Sequence, residues 1–205
     1  MVESKINIIS EKIIDFLYKG VGQDEKEVMV YGLKILLSTL MNFLLIFIVA
    51  SLLGVTKLAL IAAITAGVIR KFSGGVHAST FKGCAIVGTI IFSLLGLLAY
   101  YLGLRLSRGM IELILWIVFF IGSILIYYYA PAGIKEKPIH SLNDQIKFKI
   151  YSFIIFFILI LIGLFGHILN FKEQYILAIS LGVFWQLLTI TPLAYRLFNR
   201  EYIRR

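Results

Sequence analysis

Apolar runs at 28–53, 58–69, 84–104, 110–130, 150–170 and 175–195 leave this chain almost nowhere to put a charged shell. Five of the six reach about twenty residues, the length a helix needs to cross a hydrocarbon layer ~30 Å thick. Composition agrees: 60% of the 205 residues are apolar, 15% are charged, and mean hydropathy is +0.94. No sizeable soluble domain fits beside the runs. The sequence therefore predicts an all-α membrane protein with six transmembrane helices, and membrane insertion through these runs, because the first 27 residues are polar and charged rather than a cleavable signal.

Charge placement tests that count. With the N-terminus inside, fifteen of the twenty Lys and Arg fall in inner segments and four (Lys57, Arg105, Arg108 and Lys172) in outer ones, with Lys34 near the start of the first run. This is the positive-inside bias, and it predicts a multi-pass cell-membrane protein with both termini cytoplasmic. The same bias explains the excess of 20 basic over 11 acidic residues without nucleic acid as a partner. Ahead of the runs, Ile6, Ile9, Ile13 and Phe16 or Leu17 recur at helical spacing, predicting an amphipathic helix lying on the cytoplasmic leaflet. Glu3, Glu11, Asp15, Asp24, Glu25 and Glu27 offset its lysines, so the apolar face does the anchoring. The organisation expected is residues 1–27 as interfacial helix and linker, then 28–205 as one polytopic domain.

The second run is the weak one. Only twelve residues separate Lys57 from Arg70, about 18 Å of helix. It must borrow from its flanks, thin the bilayer, or be re-entrant. Its small residues Ala59, Ala63 and Gly67, with Ala62 and Ala66 beside them, predict close packing in the bundle, and the same ridge permits a homodimer without requiring one.

Residues 70–84, Arg-Lys-Phe-Ser-Gly-Gly-Val-His-Ala-Ser-Thr-Phe-Lys-Gly-Cys, gather what the runs lack. Here is the chain's single cysteine, Cys84, which excludes an intrachain disulfide, and one of three histidines, His77. A cysteine attacks a carbonyl as thiolate, and a neighbouring histidine or a helix N-terminus is what ionises it at neutral pH. On one unbroken helix the two residues would sit about 10.5 Å apart along the axis, beyond the ~3 Å that proton transfer needs. The chain must bend between them, and Gly74-Gly75, Ser79-Thr80 and Gly83 supply the means. A helix starting near Thr80 or Phe81 would place Cys84 in its first turn, where the dipole favours an anion. Spacing alone leaves a second reading open, since a single cysteine in an apolar chain is commonly an inert packing residue.

The stretch from Arg70 to Cys84, with its Gly-Gly-x-His-Ala-Ser-Thr core and a cysteine four residues after Thr80, resembles the AgrB family, membrane peptidases that process quorum-sensing propeptides. Length, six-run layout, polar N-terminal helix and a Pro-flanked basic loop, Ala130-Pro131 to Lys135-Glu136-Lys137-Pro138, extend the resemblance over nearly the whole chain, though only 70–84 is specific. The resemblance implies a cysteine endopeptidase with Cys84 as nucleophile and His77 as its base. Arg70 and Gly75 match motif positions needed for activity, while Lys71 and Ser73 stand where members often have Arg and Ala. It also implies an AgrD-like propeptide as partner, cleaved through an acyl-thioester on Cys84. A propeptide thiol then captures the acyl group and closes a thiolactone ring.

Around that site Arg70, Lys71 and Lys82 would supply positive charge, and Lys135 and Lys137 would draw in an acidic or carboxylate-ended tail; all five equally serve as topology signals. Ser73, Ser79, Asn143, Asp144 and Gln186 are the residues that could orient His77 if the fold brings one near. His140 and His167 have no companions at ligand spacing, so neither a metal nor another cofactor is expected. Gln186 and Pro192 in the last run predict a helix–helix hydrogen bond and a kink. The competing reading is a small transporter or peptide-export channel in which 70–84 is a re-entrant gate and Cys84 only packs.

Overall fold

The computed structural model describes residues 2–18, 22–76, 78, 80–133 and 141–200. They form eight helices in the order α1 (Val2–Leu17), α2 (Gln23–Leu52), α3 (Thr56–Ser73), α4 (Phe81–Arg105), α5 (Arg108–Tyr129), α6 (Leu142–Ile168), α7 (Glu173–Thr189) and α8 (Pro192–Leu197). Among the described residues there is no strand, only one isolated bridge between Gly74 and Ala132. Four helices, α2, α4, α5 and α6, are long and apolar enough to cross a membrane, and their outward faces show why: Leu113, Phe120 and Ile124 of α5 and Ile154, Phe157 and Phe165 of α6 all lie about half exposed or more. Such surfaces are stable against lipid and not against water. The protein is membrane-embedded and all-helical.

The helix ends follow local chemistry. Thr80, Ser107 and Thr191 each cap the helix that follows, their hydroxyl oxygens accepting from the backbone N–H of Gly83, Met110 and Ala194. Between α2 and α3 the chain reverses at Gly54, whose φ of +71° suits a residue without a Cβ. The run expected at 175–195 is not one helix: α7 stops at Thr189, and Pro192 opens the separate α8 behind the Thr191 cap. Proline lacks an N–H and fits the first helical turn, so it starts a helix here rather than kinking one.

The two shortest of the helices from α2 to α7, α3 with 18 residues and α7 with 17, occupy the middle. α7 packs on α3, α4, α5 and α6; α3 packs on α2, α4, α6 and α7. At about 27 Å, α3 outruns its twelve-residue apolar stretch, because Thr56-Lys57 and Arg70–Ser73 extend the helix at either end. Ala59, Ala62, Ala63 and Ala66 are buried. A Cβ added to Gly182 of α7 would fall 2.4 Å from the Ala62 carbonyl oxygen, and one on Gly96 of α4 2.9 Å from the Ala59 nitrogen. Backbones that close are how helices gain contact where lipid removes the hydrophobic drive. Gly67 is not part of this surface: it is exposed with nothing near its Cβ position, since its side of the helix turns away from both partners. Ala59 and Ala63 are thus occupied within the chain and are not an open face for a second copy.

The remaining helix, α1, rests on α2 with Ser10 and Ile14 buried. Lys26 holds Asp15 at 2.5 Å. Ile9 and Phe16 point outward.

Candidate active site

The register of α3 against α4 decides which residues meet. The two run antiparallel, with Ala59 opposite Gly96, and stepping one turn at a time along both brings Arg70 level with the first turn of α4. That turn begins where Thr80 caps it: the Cys84 N–H donates to the Thr80 carbonyl at 3.0 Å, and Gly83 donates to the Thr80 hydroxyl at 3.0 Å. Cys84 is half-buried there, and the Arg70 guanidinium interacts electrostatically with both Cys84 and Tyr195.

Arg70 does more than lend charge. Its Nη2 donates to the carbonyl oxygens of Val76 and, at 3.4 Å, Gly75, while Nη1 reaches Gln186 Oε1 at 3.3 Å. A planar fork with several donors suits such a cluster of acceptors, which a lysine could not match. Gln186 in turn donates through Nε2 to the Gly74 carbonyl at 2.8 Å and to Ser73 Oγ at 3.1 Å. The Val76 N–H donates to the Thr189 carbonyl at 3.0 Å, so both backbone groups of the residue before His77 are held.

A second strut comes from the chain after α5. Beyond the cis Ala130-Pro131 bond, Ala132 donates to the Ser73 carbonyl at 2.8 Å and its carbonyl accepts from Gly75 at 3.3 Å. Tyr195, fully buried on α8, donates from its hydroxyl to the Gly133 carbonyl at 3.1 Å. The turn at 74–75 has no room for side chains: Gly74 has φ +70° and its Cβ position is 2.1 Å from the Ala132 oxygen, while that of Gly75, at φ +130°, is 2.6 Å from Thr189 Oγ1.

Of the residues the sequence singled out, Arg70, Ser73, Gly75 and Gln186 are joined by hydrogen bonds here, and Cys84 lies within electrostatic range of Arg70. Lys71 lies on the exposed side of α3 with its ammonium 5.6 Å from the Phe72 ring, and Lys82 is exposed on α4. Asn143 and Asp144 are exposed in the first turn of α6. His77, Ser79, Lys135, Lys137 and His140 lie outside the described residues. Gln186 makes the helix–helix hydrogen bond expected of it, from α7 to Arg70 and Ser73 of α3, and adds a bond to the Gly74 carbonyl of the turn that follows α3. Thr189 and Tyr195 were not singled out. The Thr191-Pro192 pair, a helix-start signal inside an apolar run, was the sign that α7 ends there and delivers them.

A half-buried, multiply bonded arginine in electrostatic range of a cysteine at a helix start defines a class, a helical membrane protein with an organised polar site at an end of the bundle. The sequence profile described as Accessory gene regulator B matches residues 10–190, and the chain belongs to that family. It is 30% identical over 200 residues to an AgrB-like protein of Clostridium perfringens strain SM101, covering 93% of this chain and 92% of that one. It is 29% identical over 164 residues to accessory gene regulator protein B of Staphylococcus aureus strain MW2, covering 80% and 81%. An AgrB-like protein of Listeria monocytogenes is 27% identical over 201 residues, covering 95% and 92%. No solved structure matches.

Proposed function

We propose that this protein is a membrane cysteine endopeptidase of the accessory gene regulator quorum-sensing system, acting on an AgrD-like propeptide. The observation that carries the reading is Cys84 in the first turn of α4, within electrostatic range of Arg70, in a chain of the AgrB family. A fixed positive charge and a helix N-terminus both favour the sulfur anion that attacks a carbonyl.

In the reaction, His77 takes the Cys84 proton as the sulfur adds to the scissile carbonyl, then delivers it to the departing amine of the C-terminal fragment. The acyl group stays on Cys84 as a thioester. A propeptide thiol next displaces the Cys84 sulfur, giving a thiolactone while its proton returns to Cys84. One thioester replaces another, so the demand on the protein is to keep water from the acyl-enzyme. The wiring of 73–76 to Gln186, Thr189 and Ala132 supports this by fixing the backbone that leads into His77. Lys71 and Lys82, with Lys135 and Lys137 of the basic sequence that follows Gly133, supply charge for an acidic or carboxylate-ended substrate tail.

The reading includes six membrane crossings, with α3 and α7 as the short central pair, both termini and the Cys84 site cytoplasmic, and α1 as an interfacial amphipathic helix. Residues 1–27 then form the leaflet-bound segment and 28–205 the polytopic domain, which functions as a monomer or a homodimer.

The test is cleavage of a co-expressed propeptide in membranes. Cys84→Ser should abolish it at unchanged expression, and trapping with hydroxylamine should recover acyl-hydroxamate from the parent protein only. Normal cleavage by Cys84→Ser ends the proposal; peptide transport without cleavage by the parent protein favours the channel reading.

A further inference from the structure

At the end of the bundle opposite Cys84, a cleft of about 390 Å³ opens between the starts of α3 and α7 and the last turns of α4. Its lining includes Gly54, Lys57, Leu58, Tyr100, Lys172 and Tyr175. No acidic side chain lines it, although Glu173 follows Lys172 in the chain. Both lysines are exposed, and neither is in an ion pair among the described residues. Two helix N-termini point here, each uncapped by a side chain: Val55 precedes α3 and Lys172 precedes α7. Two ammonium groups and two positive dipole ends thus converge on one concave site, with Glu173 in the first turn of α7 outside the lining.

The walls are largely apolar, so a bare inorganic anion would leave most of them unused. Tyr100 and its neighbour Tyr101 stack edge-on at the rim, a position aromatic side chains favour at a membrane interface. Exposed Leu44, Ile48 and Leu52, one turn apart, form a stripe on α2 that ends two residues before Gly54, which lines the cleft. A ligand that fits carries an anionic head for the lysines and a chain for this stripe. We infer that the cleft binds the phosphodiester headgroup of an anionic phospholipid from the leaflet opposite the Cys84 site, with its acyl chains along α2.

The test does not use peptidase activity, so it stands or falls apart from the proposed reaction. Full-length protein in neutral detergent is titrated with dioleoylphosphatidylglycerol or dioleoylphosphatidylcholine, and retained lipid is read by native mass spectrometry. The anionic lipid should bind on the order of tenfold more tightly, as two ammonium groups near one phosphate imply. Lys57→Gln/Lys172→Gln should erase the preference, Lys57→Arg/Lys172→Arg should keep it, and Lys147→Gln at the other end should leave it intact. Equal retention of the two lipids by the parent protein, or an unaltered preference in the double glutamine variant, overturns the inference. So does displacement of the lipid by millimolar inorganic phosphate or glycerophosphoglycerol, which would make the site one for free anions.

Discussion

Each end of α3 reverses the chain at a glycine of nearly the same φ, +71° at Gly54 and +70° at Gly74, and the two ends could hardly be more different. At Gly54 nothing lies within 4 Å of the Cβ position, and the neighbouring Lys57 is exposed in an open cleft. At Gly74 the same position is filled by the Ala132 backbone, and Arg70, Gln186, Thr189 and Ala132 bond the turn from three directions. A positive φ shows that the chain must turn. Only the surroundings show whether the turn is also a place where other groups are held.

The largest effect should come from the wired end. Cys84→Ser, which keeps shape and removes the thiol nucleophile, should lower propeptide cleavage by at least about a thousandfold while thermal stability in detergent stays level. A fall in stability of equal size would mean that Cys84 is packing. Next comes the glycine pair. Gly74→Ala should cost about 3 kcal/mol or more, because the methyl meets the carbonyl of Ala132, a residue held by one hydrogen bond at its oxygen and another at its N–H, whereas Gly54→Ala should cost only about 1 kcal/mol for its φ. Similar melting shifts in the two variants would erase the distinction drawn between the ends.

Gln186→Leu keeps the volume but strips Arg70, Ser73 and the Gly74 carbonyl of one partner each; it should cost about 2 kcal/mol and slow cleavage more than it weakens substrate binding. An intact cleavage rate would show that the turn needs only Ala132 and Thr189. At the open end, Lys57→Gln/Lys172→Gln should shift stability in lipid-free detergent by under about 0.5 kcal/mol, the usual result for exposed charges. A larger loss there would reveal wiring the geometry does not show.

The sequence disclosed the membrane character, the 70–84 cluster and the start of α4 at Phe81 through local signals: apolar run length, rare chemistry-bearing residues, and a threonine cap. It misplaced the end of α7 because apolarity continues to 195 while the helix obeys Pro192. Small residues told that α3 packs closely, but not which face does so, and Gly67 proved to lie off it. The partners of Arg70 were beyond reach for a different reason. Hydrogen bonds to carbonyls of a glycine turn leave no side-chain signature, and the one side-chain partner lies in another apolar run.

The Arg70–Gln186 bond joins residues 116 apart in the chain. During synthesis the arginine therefore leaves the ribosome long before the glutamine that steadies it, and the small face of α3 must wait equally long for Gly182. Translation must proceed almost to its last helix before the turn that precedes the histidine acquires its order. A prematurely terminated product would carry Cys84 and Arg70 into the bilayer without the α7 residues that bond the turn between them.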